Sequence, residues 1–263
     1  MIDAVLVDLD GVLYRGDDRI PGADDVVAWL QSESIPHLFL TNTTSRPRQK
    51  IREKLTSLGI ETGEEAILTP VIATAGWLQN NVNGPVALFM PDATRSDLGD
   101  IKNLPADREY GAAAVVLGDL GEGWDFATLN RAFRLLMDEP APVLIALGMT
   151  RYWRAPDGLR LDVAPFVKAL EHAAGCEAIV LGKPSGDFFQ TALDRLGAEA
   201  ETTLMIGDDI VGDIQGAQRA GIRAALVRTG KFRPADLKGG IEPDVVLDSI
   251  ADLPNWWNSR SEE

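Results

Sequence analysis

Two aspartates close a short apolar segment near the start of the chain. The segment reads AVLVDLDG and carries Asp8 and Asp10 just before Gly11. Its Val and Leu residues predict a buried strand, because the run is too short for a helix. Side chains alternate along a strand, so the two carboxylates start out on one face. At about 4 Å two such charges repel by roughly 4 kcal/mol at an effective dielectric near 20, which a shared proton, a basic partner or a bound cation can offset.

Three further segments place polar residues directly after an apolar run. They read LTNTT at residues 40–44, LGKPS at 181–185 and IGDDIVGD at 206–213. In an open parallel sheet, ligands bind outside the carboxyl ends of the strands, so we expect these segments to converge with the first one. The alternative for the first segment is a solvated Asp-x-Asp-Gly turn, since Asp and Gly are common turn residues.

The composition narrows the class of protein. Of the 263 residues, 45% are hydrophobic, which is normal for a globular chain. The net charge of −15 argues against nucleic acid or an anionic membrane as the main partner, because both need a basic face. Cys176 is the only cysteine, so no disulfide can form within the chain, and a reducing cytoplasm is the expected location. No apolar run approaches the roughly 20 residues of a membrane helix, and we expect a soluble protein.

Strand and helix patterns alternate along the whole chain. Such alternation predicts an α/β fold with a doubly wound parallel sheet and helices on both faces. The alternation restarts near residue 80 and again at the strand AIVLGKPS, residues 178–185. After that strand, a helix is expected from near Val211 to Gly221.

The acidic residues at the strand ends favour a magnesium site. Asp8, Asp10 and Asp208 offer oxygen ligands, and no His or Cys lies near them in sequence, which suits a hard octahedral cation such as Mg²⁺. Asp209 and Asp213 follow closely. One of these two is expected to bind the metal's waters or orient a lysine, and the other to cap the following helix. We rank Asp213 above Asp209 for a role in the site.

The remaining polar residues suit a phosphoryl group. Lys183 would neutralise phosphate charge, and Thr41 and Asn42 would hold phosphate oxygens. One carboxylate could then attack phosphorus to give an aspartyl-phosphate. A second carboxylate could protonate the leaving alcohol and later deprotonate water, which is worth typically about 10² to 10⁴ in rate.

The four segments together resemble the four motifs of the haloacid dehalogenase superfamily of phosphatases, in the same order and spread over the chain. The resemblance implies a Rossmann-like core with an inserted, smaller α/β cap domain. The first part of the core is then expected at 1–79, the cap at 80–178 and the second part of the core at 179–263. It implies that Asp8 is the nucleophile and that Asp10 is the general acid and base, with its backbone carbonyl on the metal. The other implied roles are phosphate binding by Thr41 and Lys183, metal ligation by Asp208, and the second acidic position of the last motif for Asp213.

The long insertion resembles the large α/β cap of the type IIA branch, which includes NagD and the nitrophenylphosphatase-like enzymes. Stretches such as TNTTSRPRQ and LNRAFRLLMD are most similar to the subgroup containing phospholysine phosphohistidine inorganic pyrophosphate phosphatase. Some members of that subgroup carry serine where this chain has Asp10, which favours ordinary phosphate ester hydrolysis here. Within the insertion, Arg151, Tyr152 and Trp153 could form a loop that faces the substrate. The alternative is a strand and turn with exposed arginines.

We therefore expect a magnesium-dependent phosphatase acting on a small phosphorylated metabolite. A dehalogenase would lack the second aspartate, so Asp10 argues against that activity. Hydrolysis of phosphoramidates or pyrophosphate stays open as an alternative, and so does a catalytically silent, phospho-regulated binding protein. The expected assembly is a homodimer formed through the cap.

Overall fold

The computed structural model describes residues 2–155 and 157–260, which form two compact units. The first unit is built from three segments of the chain: the residues up to Thr41, Arg48–Leu68, and Lys183 onward. The second unit comprises Asn42–Pro47 and Thr69–Gly182. The mixed α/β architecture predicted from the alternation of patterns is confirmed.

The strands are, in chain order, β1 Ala4–Asp8, β2 Tyr14–Arg15, β3 Asp18–Arg19, β4 His37–Leu40, β5 Ile67–Leu68, β6 Val86–Phe89, β7 Ala114–Leu117, β8 Val143–Ala146, β9 Tyr152–Ala155, β10 Gly158–Leu161, β11 Ile179–Val180, β12 Thr203–Gly207, β13 Arg223–Val227 and β14 Val245–Leu247. The α-helices are α1 Ala23–Ser32, α2 Arg48–Ser57, α3 Pro70–Asn81, α4 Phe126–Leu136, α5 Val163–Ala174, α6 Gly186–Leu196, α7 Gly216–Arg219 and α8 Leu253–Arg260. No helix within these described residues is both long and apolar enough to cross a bilayer.

The first unit is organised around a six-stranded sheet with the order β14-β13-β12-β1-β4-β5. Every neighbouring pair in it is parallel. All five residues of the central strand β1 are buried, as the apolar run predicted, because a parallel sheet is covered on both faces. Val5 and Val7 point into one apolar cluster, which also contains the buried face of α1. On that helix Ala23, Val26, Val27 and Leu30 recur at helical spacing.

The second unit has its own four-stranded parallel sheet, with the order β11-β8-β7-β6. Its apolar core lies between this sheet and the buried faces of α4 and α5. Strands β9 and β10 form a separate antiparallel hairpin. At the start of α3, the Thr69 hydroxyl caps the helix by accepting from the Ile72 N–H, and Pro70 takes the first position, where its missing N–H costs nothing.

One strand belongs to a different sheet from the one predicted. The run AIVL was expected to open the second part of the core, but β11 pairs with β8 through Ile179 and Ile145, inside the second unit. A short apolar run predicts a strand but not the strand with which it pairs, because pairing depends on tertiary contacts. The helix α3, expected to end the first core segment, likewise groups with the second unit. The domain boundaries inferred from sequence stay predictions.

The helix predicted from near Val211 to Gly221 is also different. The segment begins as a π-helix over Ile210–Gln215, and only four residues of α-helix follow it. The Asp209 carbonyl accepts hydrogen bonds from both the Asp213 N–H, at 2.9 Å, and the Ile214 N–H, at 3.2 Å. Widened turns of this kind are frequent at functional sites.

Candidate active site

The register of three neighbouring strands brings polar residues to one edge of the first unit's sheet. Asp8 pairs with Leu40 on β4, so Thr41 follows directly beside it. On the other side Val7 pairs with Ile206 on β12, and Asp208 follows the end of that strand. Parallel strands end at the same edge, so the side chains of Asp8, Thr41 and Asp208 all leave the sheet there.

Lys183 connects two of the acidic side chains. Its Nζ donates to Asp8 Oδ1 and, over 2.6 Å, to Asp213 Oδ1. The lysine, Asp8 and Asp213 are all buried. A buried charge is tolerated only when it is paired, so the Lys183 ammonium compensates part of the negative charge of the two carboxylates.

Glycine and proline hold the backbone that carries these groups. A Cβ on Gly207 would overlap the Cβ of Asp213, so only glycine lets Asp213 fold back over the end of β12. There Asp213 Oδ2 accepts from the N–H groups of Asp208, at 3.2 Å, and Asp209, at 3.1 Å. A Cβ on Gly216 would lie 2.9 Å from Pro184 Cα, so α7 can approach the residue after Lys183 closely.

Asp208 has one oxygen held and one without a partner. Its Oδ2 accepts from the Lys231 N–H at 2.6 Å. Its Oδ1 is buried and has no hydrogen-bond partner in residues 2–155 and 157–260. An unsatisfied buried carboxylate oxygen costs free energy, which a bound cation would offset.

A metal ion fits this arrangement. Oxygen atoms of Asp8, Asp208 and Asp213 lie within 4.8 Å of one another, and in the described part of the chain no other cluster of His, Cys, Asp or Glu does so. The ligand set contains only carboxylate oxygens, which suits Mg²⁺ rather than Zn²⁺.

Burial and mutual repulsion shift the pKa values in the cluster. Burial, opposed by Lys183, raises the pKa of Asp8 to about 7, and the charge of Asp213 adds to the rise. Burial also raises the pKa of Asp208 to about 6, against the hydrogen bond from the Lys231 N–H. Burial favours the neutral amine of Lys183, but the charges of Asp213 and Asp8 outweigh it, and its pKa lies above the ordinary value. The metal-free cluster therefore favours an added positive charge.

Asp209 and Asp10 lie outside the buried cluster. Asp209 Oδ1 caps the π-helix by accepting from the N–H groups of Val211, at 3.0 Å, and Gly212, at 2.9 Å. The hydrogen bonds from Gly212 and Val211 and the charge of Lys231 outweigh burial, so the pKa of Asp209 is lowered. Asp10 is exposed and supplies no carboxylate to the group of three, and its expected contact through the backbone carbonyl stays a prediction.

The other predicted binding residues fall into both units. Thr41 is buried in the first unit, and its N–H donates to the Leu68 carbonyl at 3.2 Å. Asn42 is exposed and belongs to the second unit. Arg151 and Tyr152 are exposed in the second unit, with the guanidinium carbon 5.9 Å from the tyrosine ring centroid. The side chain of Trp153 lies outside the described residues.

A fifth strand end, which was not predicted from the sequence, also reaches the site. After β13 the chain reads Thr229-Gly230-Lys231, and this turn contacts both Asp208 and the loop after β1. The sequence carries the same pattern here as at the other four strand ends, since polar residues follow the apolar run AALV. These residues contribute mainly backbone atoms and close approach, which residue type alone does not reveal.

Comparisons with known proteins agree with the fold and the strand ends. A family model described as haloacid dehalogenase-like hydrolase matches residues 5–101, and one described as HAD-hydrolase-like matches residues 180–253. Human phospholysine phosphohistidine inorganic pyrophosphate phosphatase is 40% identical over 255 residues, which cover 95% of this chain and 91% of that protein. The chain therefore belongs to the haloacid dehalogenase-like hydrolase family, as its four motifs predicted.

Two solved structures are similar over nearly the whole chain. A p-nitrophenyl phosphatase from Archaeoglobus fulgidus has a TM-score of 0.86 and 27% identity, covering 97% of this chain and 99% of that one. NagD from E. coli K-12 has a TM-score of 0.83 and 22% identity, covering 95% and 98%. The second likeness concerns the fold alone. Together they confirm the predicted fold class, with a Rossmann-like core and an inserted α/β cap.

Proposed function

We propose that this protein is a magnesium-dependent phosphatase that hydrolyses small phosphate monoesters, with Asp8 as the nucleophile. The observation that carries the proposal is the placement of buried Asp8 at the end of β1, held by Lys183 and grouped with Asp208 and Asp213. Membership of a hydrolase family whose similar members are named phosphatases supports the same reaction.

The reaction divides into two displacements at phosphorus. Lys183 holds Oδ1 of Asp8, so Oδ2 attacks phosphorus while the bond to the leaving oxygen breaks, giving an aspartyl-phosphate. Asp10 protonates the leaving alcohol and then takes a proton from the water that hydrolyses the intermediate. Dividing the step matters, because phosphate monoester hydrolysis is among the slowest uncatalysed reactions, needing up to about 10²¹-fold acceleration.

The phosphate is held by positive charge and by hydrogen-bond donors. Lys183 neutralises phosphate oxygens, and Thr41 and Asn42 bind them. Asp8, Asp208 and the Asp10 carbonyl would hold Mg²⁺, which when bound supplies positive charge to the phosphate oxygens. Asp213 orients Lys183 through the 2.6 Å ion pair and fixes the turn after β12 through its two N–H contacts.

We assign substrate selection to the cap and turnover to the core, with the division at residues 1–79, 80–178 and 179–263. Arg151 and Tyr152 would contact the part of the substrate beyond the phosphate, with Trp153 as a third candidate. We place the protein in the cytoplasm because its single cysteine forms no disulfide within the chain. A homodimer through the cap is proposed because Leu159 and Leu161, two residues apart on β10, are more than half exposed.

A second candidate function is hydrolysis of phosphoramidates or pyrophosphate. The 40% identity to a phospholysine phosphohistidine inorganic pyrophosphate phosphatase favours it. The two functions differ in the leaving group. A phosphate leaving group, or a phosphoramidate nitrogen that already carries a proton, depends less on Asp10 as a proton donor than an alkoxide does.

Release of inorganic phosphate tests the proposal. The panel consists of sugar phosphates, nucleoside monophosphates, p-nitrophenyl phosphate, pyrophosphate and phosphohistidine, each with Mg²⁺ and with EDTA. We expect turnover with Mg²⁺, none with EDTA, and recovery when Mg²⁺ is added back. Full activity in EDTA would overturn the metal assignment. No release from any substrate by a protein that binds Mg²⁺ would favour the phospho-regulated binding protein instead. Light scattering on the same preparation reports whether it is dimeric.

A further inference from the structure

The turn after β13 contacts two other strand ends at once. In the sheet, β13 and β1 are separated by β12. The Thr229 hydroxyl nevertheless donates a short hydrogen bond to the Gly11 carbonyl, in the loop after β1. The Lys231 N–H donates to Asp208 Oδ2, after β12, at 2.6 Å. The turn therefore crosses the carboxyl end of β12 and connects β13 to the loop after β1.

Two glycines, Gly230 and Gly11, let the turn after β13 approach the loop after β1 closely. Gly230 has φ +62, and Gly11 has φ +92, both in the left-handed region. A Cβ on Gly230 would lie 2.6 Å from Gly11 Cα and would overlap Asp208 Oδ2. A Cβ on Gly11 would overlap the same oxygen. No side chain can enter between the two backbones without moving the Asp208 carboxylate.

These contacts fix the orientation of the Asp10–Gly11 peptide and of the Asp208 carboxylate. The Gly11 N–H donates to the Tyr14 carbonyl at 2.6 Å, and the Gly11 carbonyl accepts from Thr229. In a planar trans peptide the carbonyl of Asp10 points opposite to the Gly11 N–H, so its direction is set as well. With Oδ2 of Asp208 held by the Lys231 N–H, Oδ1 is the oxygen left for a cation.

We propose that Thr229, Gly230 and Lys231 form a positioning turn that presets Asp208 and the Asp10–Gly11 peptide for Mg²⁺ before the metal binds. This inference rests on the proposed metal-dependent site. It adds a role that the four motifs do not contain, because it assigns part of the metal affinity to the segment after β13. Ligands held in place by neighbours outside the coordination sphere commonly account for about 10- to 100-fold in metal affinity.

Equilibrium binding of Mg²⁺, measured by isothermal titration calorimetry on the purified full chain, tests the proposal without turnover. Gly230→Ala should weaken Mg²⁺ binding at least about tenfold, because the added Cβ displaces the Asp208 carboxylate. Gly240→Ala is the matched control. Gly240 also has positive φ, at +83, and nothing lies within 4 Å of its Cβ position. It adds the same backbone strain without the overlap and should bind Mg²⁺ within about twofold of the parent chain.

Thr229 supplies a second, milder pair of variants. Thr229→Val removes the hydroxyl at nearly constant shape and should weaken Mg²⁺ binding by about three- to tenfold, the worth of one hydrogen bond. Thr229→Ser keeps the hydroxyl and should bind Mg²⁺ about as tightly as the parent chain. Equal Mg²⁺ affinity in Gly230→Ala and Gly240→Ala, both folded by circular dichroism, would overturn the proposal. So would equal affinity in the Val and Ser variants. Failure of the phosphatase proposal would look different, since the parent chain would bind Mg²⁺ and release no phosphate.

Discussion

At the scale of single residues, the buried ion pairs around Lys183 dominate the site. Three carboxylates and one ammonium share a buried space, so the metal-free cluster carries excess negative charge. Burial raises the pKa values of Asp8, to about 7, and of Asp208, to about 6, and the charge of Asp213 adds to both rises. Lys183 therefore contributes to the stability of the fold, besides its proposed role in phosphate binding.

Replacing Lys183 should cost stability in a pH-dependent way. Lys183→Met leaves Asp8 and Asp213 without their cation and should reduce the free energy of unfolding by about 3 kcal/mol at pH 8, the typical cost of breaking a buried pair. At pH 5 Asp8, whose pKa is raised to about 7, takes up a proton more readily, and the loss should be smaller. Urea unfolding in EDTA at the two pH values measures both. Lys238→Met, at an exposed lysine, is the control and should change little. An equal loss at both pH values would contradict the role assigned to the ion pairs.

At the scale of elements, Lys54 connects helix α2 to the β2–β3 hairpin. Lys54 Nζ donates to the Gly16 carbonyl at 2.7 Å and lies 4.1 Å from the centroid of the Tyr14 ring. The Tyr14 carbonyl in turn accepts from the Gly11 N–H, in the loop that carries Asp10. The hairpin thus connects α2 to the loop that follows Asp8, the proposed nucleophile.

Removing the Lys54 charge should loosen this hairpin. Lys54→Met keeps most of the alkyl chain and should cost about 1 kcal/mol, the sum expected for one hydrogen bond and a partly exposed cation–π contact. Hydrogen exchange followed by mass spectrometry should show faster exchange over residues 11–20. Lys50→Met, on the same helix with an exposed partner in Glu53, is the control and should leave that exchange unchanged. Unchanged exchange in both variants would show that the hairpin is held by other contacts.

Local pattern predicted most elements, and tertiary context decided the rest. Apolar runs and helical spacing identified strands such as β1 and β12 and helices such as α1. The order of apolar and polar residues indicates which parts of an element are buried. The same patterns could not name the sheet of β11, which depends on a partner far along the chain. They could not show the π-helix over Ile210–Gln215 either, since its wide turn follows from the way Asp213 folds back over Gly207.

Part of the candidate site could be predicted from the sequence, and part depends on tertiary contacts. Carboxylates and a lysine after apolar runs were visible in the sequence, and the structure groups Asp8, Asp208, Asp213 and Lys183. Sequence could not say that Asp213 rather than the Asp10 carboxylate joins the buried group, because that depends on the turn after β12. The chemical roles of these residues remain predictions until they are measured.

At the scale of the whole molecule, the acidic cluster couples protonation to folding. A carboxyl group whose pKa is raised in the folded state binds protons more tightly there than in the unfolded chain. Its stabilising effect is complete below the unfolded pKa, near 4, and is lost as pH rises through the folded pKa. For Asp8 and Asp208 those folded values are about 7 and about 6. The metal-free protein should therefore lose stability between about pH 4 and pH 7.

Thermal unfolding in EDTA across this range tests the coupling. We expect the midpoint temperature to fall as pH rises from 5 to 8 and the fall to be shallower in Asp208→Asn, which lacks one of the two groups. Added Mg²⁺ should raise the midpoint more at pH 8 than at pH 5, because protons compete for the same oxygens. A midpoint independent of pH, or an equal Mg²⁺ effect at both pH values, would contradict the electrostatic account.

The measurement that tests the central claim most directly is detection of phosphate on Asp8. The Asp10→Asn variant, which should hydrolyse the intermediate slowly, is mixed with the best substrate and Mg²⁺, quenched in acid and digested for mass spectrometry. We expect a phosphorylated peptide spanning residues 4–11 with the modification on Asp8, and none in Asp8→Asn. Asp3→Asn, at an exposed aspartate just before β1, should turn over normally. Turnover by Asp8→Asn, or phosphate found on a residue other than Asp8, would contradict the assignment of the nucleophile.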